Sequence, residues 1–408
     1  MNGAIPVLMY HSVGKTIPGW NWSFLTLPAH LFAEHLRWLR KSDYRTADLA
    51  ELCAHVSGEV LLPPRSVVIT FDDGYLDNWT YAAPLLSHYG FKATVFVNPE
   101  FVDPRDIIRP TLEDVWAGRI TESELEARGF MSWAELKKIN DAGVFSVQSH
   151  LMSHTWYPIS SEVVDFHHPG DTYYWIDWNA HPEDKPFYLL HPRESKVPFG
   201  VPVYRHAKAM ESNIFFPDQR EALHLGTYVA THGKSNFFRR RDCKKELRNE
   251  LLKFRHNTET NGREETEEER FVRLNYELTE SKRLIEENLN VEVNFLAWPG
   301  GGYDDAAMAM AQRIYKAVTL SSRDTSNILN RPRDDPRRIK RIGIPYIEYN
   351  RKFYYLGGRY LIRFLDEFRA VKYARQRRQV MKLIFLAAAA LGIWPSLNTK
   401  DFSAKYGA

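Results

Sequence analysis

Ser66-Val67-Val68-Ile69-Thr70-Phe71-Asp72-Asp73-Gly74-Tyr75 sets two adjacent carboxylates at the end of a β-branched run. Such a run forms a buried strand, and the residues that follow, Leu76 to Tyr89, read as helix. Neighbouring acids at the carboxyl end of a strand repel each other unless a cation or a shared proton relieves them. A metal ion is the simplest relief. Taken alone, Asp-Asp-Gly more often caps the next helix or turns the chain at Gly74, so the rest of the chain has to decide.

Outward from this stretch, strands and helices alternate. Ile5 to Tyr10 is a compact apolar strand with His11 at its end, and Phe32, Leu36 and Leu39 mark Pro28 to Lys41 as an amphipathic helix. Tyr44 to Leu52 reads as a short strand and a helix start, and Lys92 to Val97 as a strand entered through Gly90. Arg105 to Gly129 is an excursion. Ser132-Trp133-Ala134-Glu135 has the form of a capping box and opens a helix to Gly143. The strand Phe145 to Gln148 follows, with His150-Leu151-Met152-Ser153-His154 directly at its end. This rhythm predicts an α/β fold of parallel strands joined by crossover helices.

The rhythm breaks over 157–270, which reads as an insertion with a strand at Thr227 to Ala230, a charged helix from Lys244 to Phe254 and an exposed polar run from Asn257 to Glu269. It resumes with Leu274, Leu278, Ile285 and Leu289 on a helix, a strand from Val293 to Ala297 and the turn Trp298-Pro299-Gly300-Gly301-Gly302-Tyr303. Further strand pieces fall at Lys316 to Leu320 and Ile339 to Pro345. The expected division is 1–156 with 271–350 as one domain, 157–270 as an insertion rimming the site, and 351–408 as a helical extension.

Composition narrows the function classes. The 408 residues are 44% hydrophobic and 13% aromatic, as in a globular protein, and 54 basic against 51 acidic residues give no nucleic-acid signal. Cys53 and Cys243 are the only cysteines, too few for a disulfide framework or a cysteine-rich metal site. The opening residues lack a basic segment and a long apolar run, so an ordinary export signal is not expected. Between Arg351 and Lys382 the cations far outnumber Asp366 and Glu367, and Leu383 to Trp394 is apolar. That run is shorter than the roughly 20 residues a spanning helix needs. The segment 351–397 therefore suits a helix lying in a membrane surface or, equally, one packed on protein.

Asp72-Asp73, His150 with His154, and Trp298-Pro299-Gly300-Gly301 all fall at predicted strand ends, and parallel α/β folds gather such ends on one face. One Asp with two His makes a site suited to Zn²⁺ or another borderline ion such as Co²⁺ or Ni²⁺. In that reading Asp73, His150 and His154 are ligands and Asp72 is the general base. The backbone N–H of Gly300 is a candidate donor to an oxyanion. The chemistry is hydrolysis of an amide or ester carbonyl.

Thr70-Phe71-Asp72-Asp73-Gly74, His150-Leu151-Met152-Ser153-His154 and Trp298-Pro299-Gly300-Gly301 resemble successive motifs of the polysaccharide deacetylase family, the NodB-homology or carbohydrate esterase family 4 enzymes. Pro6 to His11 and Gly90 to Phe96 are similar to the branch with poly-N-acetylglucosamine deacetylases. The resemblance implies a distorted (β/α) barrel, a divalent metal and removal of N-acetyl or O-acetyl groups from a sugar; an N-acetylhexosamine polymer or a lipid-linked glycan is the expected partner. His11, Tyr75, Trp298, Pro299 and Tyr303 are then expected at the sugar. Without an export signal, the expected location is the cytoplasm or the cytoplasmic face of the inner membrane.

The chain also departs from the family pattern. Leu151 stands where Ser or Thr usually braces the loop, Ala297 where an Arg often orients the base, and Gly300 where an aromatic is common. No His lies between Lys316 and Tyr349 to act as a late general acid. Asp72 itself, or His167, His168 or His232 of the insertion, is then expected to protonate the leaving amine. An O-acetyl esterase and a non-catalytic glycan-binding or assembly protein are the rival readings.

Overall fold

The computed structural model describes all residues except 1–2, 18–19, 191–194, 260–261, 321–327, 350–351, 370 and 392–408. Its centre is a parallel sheet built from β1 (Val7–Tyr10), β2 (Ser66–Phe71), β3 (Ala93–Val97), β4 (Phe145–Ser149), β5 (Phe295–Leu296), β6 (Ala317–Leu320), β7 (Arg338–Lys340) and β8 (Ile342–Gly343). The order is β7-β6-β5-β4-β3-β2-β1-β8, and Arg45–Thr46 adds a further pairing to β2. β2 and β3 are buried along their whole length, as expected for strands covered on both faces.

The ring is closed by one stretch of chain. Leu320 pairs with Lys340 on one side and Leu8 with Ile342 on the other, and Arg341 alone separates the two pairings. The expected strand of 339–345 is thus a kinked closing strand that changes neighbours at Arg341, and the α/β expectation resolves into a distorted (β/α) barrel. Helices flank it, among them α1 (Ala29–Lys41) and α2 (Leu49–Ser57), the latter opened by a capping box between Asp48 and Glu51. Phe32, Leu36 and Leu39 of α1 are fully buried against the core, as their spacing predicts.

Three local expectations change. The helix after Asp73 begins as a π-turn, Asn78–Ala82, before the α-helical Ala83–Tyr89. Thr227 to Ala230 is not a strand but part of the helix Gln219–Thr231, capped by Asp218. Leu225 and Val229, one helical turn apart, are buried there with Leu247 and Leu251, so packing overrides the local β propensity. The polar run before Glu269 holds the short strand Arg263–Glu264 and the start of the helix Glu267–Asn275.

The insertion rests on a long antiparallel hairpin, Trp156–Phe166 with Pro202–Lys208. Beyond the barrel, the hairpin Tyr346–Tyr349/Lys352–Tyr355 leads to helices Gly358–Phe368 and Ala374–Ala390. The first lies on α1 so closely that a Cβ at Gly358 would meet the Glu34 carbonyl oxygen. His35 of α1 is fully buried, and its ring joins the Tyr10 hydroxyl at 3.0 Å to the Leu356 carbonyl at 2.7 Å.

Candidate active site

The carboxyl ends of the strands converge as parallel topology requires. His11 follows β1, Asp72-Asp73 follow β2, Asn98 follows β3, His150 follows β4, Trp298 to Gly300 come after β5, and Arg341 follows β7. A cavity of about 340 Å³ opens there, walled by His11, Asp73, Tyr75, His150, His154 and Gly300 together with the aromatics Trp22, Trp156 and Trp178.

Asp73 Oδ1 lies 3.2 Å from His150 Nε2 and 3.3 Å from His154 Nε2. These atoms form a cluster able to hold a metal ion. Two observations show that the donor set fits one. Asp73 Oδ1 is buried without a hydrogen-bond partner, an expensive condition for a carboxylate oxygen. His150 Nδ1 meets the Ala297 carbonyl at 2.8 Å, which places the ring proton on Nδ1 and leaves the Nε2 lone pair aimed at the cluster.

The loops carrying these groups are strained. Asp73, Leu151 and His154 all have positive φ, at 74°, 62° and 44°, a conformation that costs a non-glycine residue about 1–3 kcal/mol where it is sparsely populated. Gly74 is required next to them, because its φ is +72° and a Cβ would come within 2.9 Å of Val97 Cγ1. The bracing hydrogen bond that Leu151 cannot make is replaced. Buried Glu277 accepts from Met152 N at 3.0 Å and Ser153 N at 3.1 Å, and Asn98 donates to the His150 and Leu151 carbonyls. Sequence reasoning missed both residues, Glu277 because it sits in a charged helical run and Asn98 because a lone Asn at a strand end carries no chemical signature.

Arg341 was missed too, and it fills the role that Ala297 leaves empty. Its guanidinium donates to Asp72 Oδ1 at 2.6 Å and Oδ2 at 2.8 Å, and the side chain is 6% exposed. Burial raises the Asp72 pKa, but Arg341 outweighs it and holds the group ionised below the usual carboxylate range. His11 Nε2 stands 4.0 Å from Asp72 Oδ2, and burial lowers its pKa against the pull of Asp73 and Asp72.

The expected sugar contacts divide. His11 and Tyr75 line the cavity, whereas Trp298 is 1% exposed in the barrel core with Tyr303 packed against its ring, and Pro299 is buried beside it. Among the insertion aromatics, Trp178 lines the cavity, with Tyr174 stacked on it, while Tyr173 packs edge-on against Trp175. The insertion histidines lie elsewhere. His167 bonds Asp171 and Ser195, His168 contacts Lys244 and Phe238, and His232 stacks on Tyr228. What the insertion contributes instead is Lys208, whose Nζ donates to the Gly300 carbonyl at 2.8 Å. Its stem explains the glycine at 300, since a Cβ there would meet Lys208 Cε at 2.8 Å.

With this geometry in view, residues 60–167 match the family model described as polysaccharide deacetylase. That stretch is about a quarter of the chain. Over 93 residues the chain is 37% identical to YxkH of Bacillus subtilis, whose name places it among the polysaccharide deacetylases; the match spans 23% of this chain and 31% of that protein. Over 133 residues it is 26% identical to poly-beta-1,6-N-acetyl-D-glucosamine N-deacetylase of Escherichia coli, spanning 33% of this chain and 18% of that one. The chain thus matches under a third of the length of each curated relative. A de-N-acetylase structure from Aggregatibacter actinomycetemcomitans superposes with a TM-score of 0.49 at 16% identity, over 83% of this chain and 94% of that one. IcaB from Ammonifex degensii gives 0.45 at 16%, over 84% and 93%. The deacetylase motif stretch that the family model covers includes Asp72, Asp73, His150 and His154, and it ends inside the insertion.

Just beyond the acid pair, the fully buried Asp77 accepts from the Ser12 hydroxyl and from Asn78 Nδ2, and burial pushes its pKa up to about 7. The folded protein therefore keeps a proton that the unfolded chain releases near pH 4. Its contribution to stability is full below pH 4, declines at about 1.4 kcal/mol per pH unit as pH rises towards 7, and levels off above. Melting curves at pH 5 and pH 8 should show this decline in the wild type and a flatter profile in Asp77→Asn.

Proposed function

We propose that the protein is a metal-dependent hydrolase that removes N-acetyl groups from an N-acetylhexosamine-containing polysaccharide or glycan precursor. The observation that carries this reading is the buried cluster of Asp73, His150 and His154 directly beside an Asp72 clamped by Arg341. A binding module has no use for a clamped base next to a complete ligand set. The name of the E. coli relative, which specifies an N-acetylglucosamine polymer, supports the amide over the O-acetyl ester as substrate.

Asp73, His150 and His154 would hold a divalent ion, with two imidazoles and one carboxylate suiting Zn²⁺. When bound, the ion supplies Lewis acidity at the acetyl carbonyl and at the attacking water. Arg341 fixes both oxygens of Asp72 next to the ligand Asp73, and the carboxylate would take a proton from the attacking water as general base. The proton would then pass to the leaving amine nitrogen, from Asp72 or through His11 Nε2, which stands 4.0 Å from Asp72 Oδ2 and, unlike His150 and His154, makes no ion pair with Asp73 among the described residues. Trp22 and Trp156, stacked at 6.1 Å, and Trp178 offer flat faces to a sugar ring and exclude water around the acetyl group. Gly300 keeps its place in the wall as the candidate backbone donor to the oxyanion.

Acetate release from short β-linked N-acetylglucosamine oligomers, measured after chelation and with Zn²⁺ or Co²⁺ restored, tests the reading. The wild type should regain turnover with metal, and Asp73→Ala should lose both metal binding and acetate release. Metal binding without acetate release from N-acetyl substrates, but with release from O-acetylated sugars, would transfer the assignment to an esterase.

A further inference from the structure

The helix Ala374–Ala390 has two apolar sides, and only one is used. Met381, Phe385 and Leu386 pack against Ile347, Leu356 and Tyr360. On the opposite side Val380, Leu383 and Ile384, with Leu391 just past the helix end, are 55–71% exposed. Their spacing puts them on one stripe, which Tyr373, itself 55% exposed, extends at the start of the helix.

Charge decides what covers this stripe. Lys372 and Arg377 are exposed and have no carboxylate partner among the described residues. The acids of the neighbouring helix are already engaged, Glu367 by Arg378 and Arg375, and Asp366 by Arg369. A second copy of the chain docked here would bring unpaired cations face to face. An anionic lipid surface would take the apolar stripe into its headgroup boundary and neutralise the cations beside it. No helix of the described residues is long and apolar enough to cross a membrane, so the geometry is that of an in-plane helix. Residues 392–397 of the expected membrane segment lie outside the described residues.

The extension is not a loose tail. The packing of Gly358 on α1 and the His35 bridge to Leu356 fix it to the barrel, and Phe353 of its hairpin stacks at 5.0 Å on Phe24, which lines the active-site cavity. Phe24 and Tyr346 are exposed next to that contact, aromatic groups of the kind that settle at a membrane interface. We infer that the helix Ala374–Ala390 docks the protein on an anionic bilayer surface, and the Phe24–Phe353 stack ties the cavity rim to the same extension.

The test is flotation of the full chain with vesicles of phosphatidylcholine alone or mixed with phosphatidylglycerol. Binding to the anionic vesicles should exceed binding to the neutral ones by at least about 10-fold at physiological salt and weaken at high salt. Ile384→Glu, and separately Lys372→Glu with Arg377→Glu, should each lower it about as much, while circular dichroism and metal binding stay those of the wild type. Equal or absent binding to both vesicles would overturn the inference, as would a concentration-dependent dimer that Ile384→Glu dissolves in place of vesicle binding. The vesicle readout involves no chemistry, so its failure leaves the deacetylase reading standing.

Discussion

Arg341→Met is expected to cost about 3–5 kcal/mol of folding stability and to abolish turnover. The reason lies in what it leaves behind. Asp72 is 3% exposed, its two oxygens are held by the guanidinium, and no other Lys or Arg pairs with it among the described residues. Without Arg341 a bare carboxylate is stranded in the barrel, so the group takes up a proton and ceases to be a base near neutrality. The control is the double variant Arg341→Met with Asp72→Asn. It should recover much of the lost stability, because no buried charge remains, and none of the activity. Equal stability of the single and double variants in urea melts would show that the pair is not coupled and that the site is wetter than its burial indicates.

Asp72→Asn alone separates base from ligand. The amide oxygen can accept only one of the two bonds from Arg341, and the amide cannot take a proton from water, so turnover should fall by about 10²–10⁴, with some loss of stability as Arg341 loses its counter-charge. Zinc affinity, read by calorimetry, should remain within a few-fold, because the neighbouring Asp73 and not Asp72 faces His150 and His154. Loss of metal affinity in this variant would reassign Asp72 as a ligand. Retained turnover would move the proton to His11.

What the sequence made legible was the set of residues whose roles follow from strand ends. The run Ser66 to Phe71 and the motif spacing placed Asp72, Asp73, His150 and His154 on one face before any coordinates, since parallel crossovers leave little freedom about where strand termini gather. Arg341 was illegible for the opposite reason. It sits among Arg337, Arg338 and Lys340, where nothing distinguishes one cation from the others, and its partner is far away in the chain. Only the change of neighbours between β7 and β8 turns that one side chain inward. Trp298 shows the converse failure, a motif residue expected at the sugar whose indole is buried in the core. In the insertion no period of two or 3.6 organises the aromatics, so Trp178 at the cavity and Trp175 behind it looked alike.

The closing strand also bears on how the protein is made. Leu8 finds its outer neighbour only in Ile342, and the guanidinium that balances Asp72 belongs to the residue just before it. At roughly 5–20 residues per second of synthesis, the first strand waits about 20–60 s for that partner to leave the ribosome. From the moment His154 has been made until Ile342 is, the nascent chain holds Asp72, Asp73, His150 and His154 with an open seam beside them. The counter-charge and the last seam arrive together, so Asp72 gains its partner in the same step that completes the barrel wall.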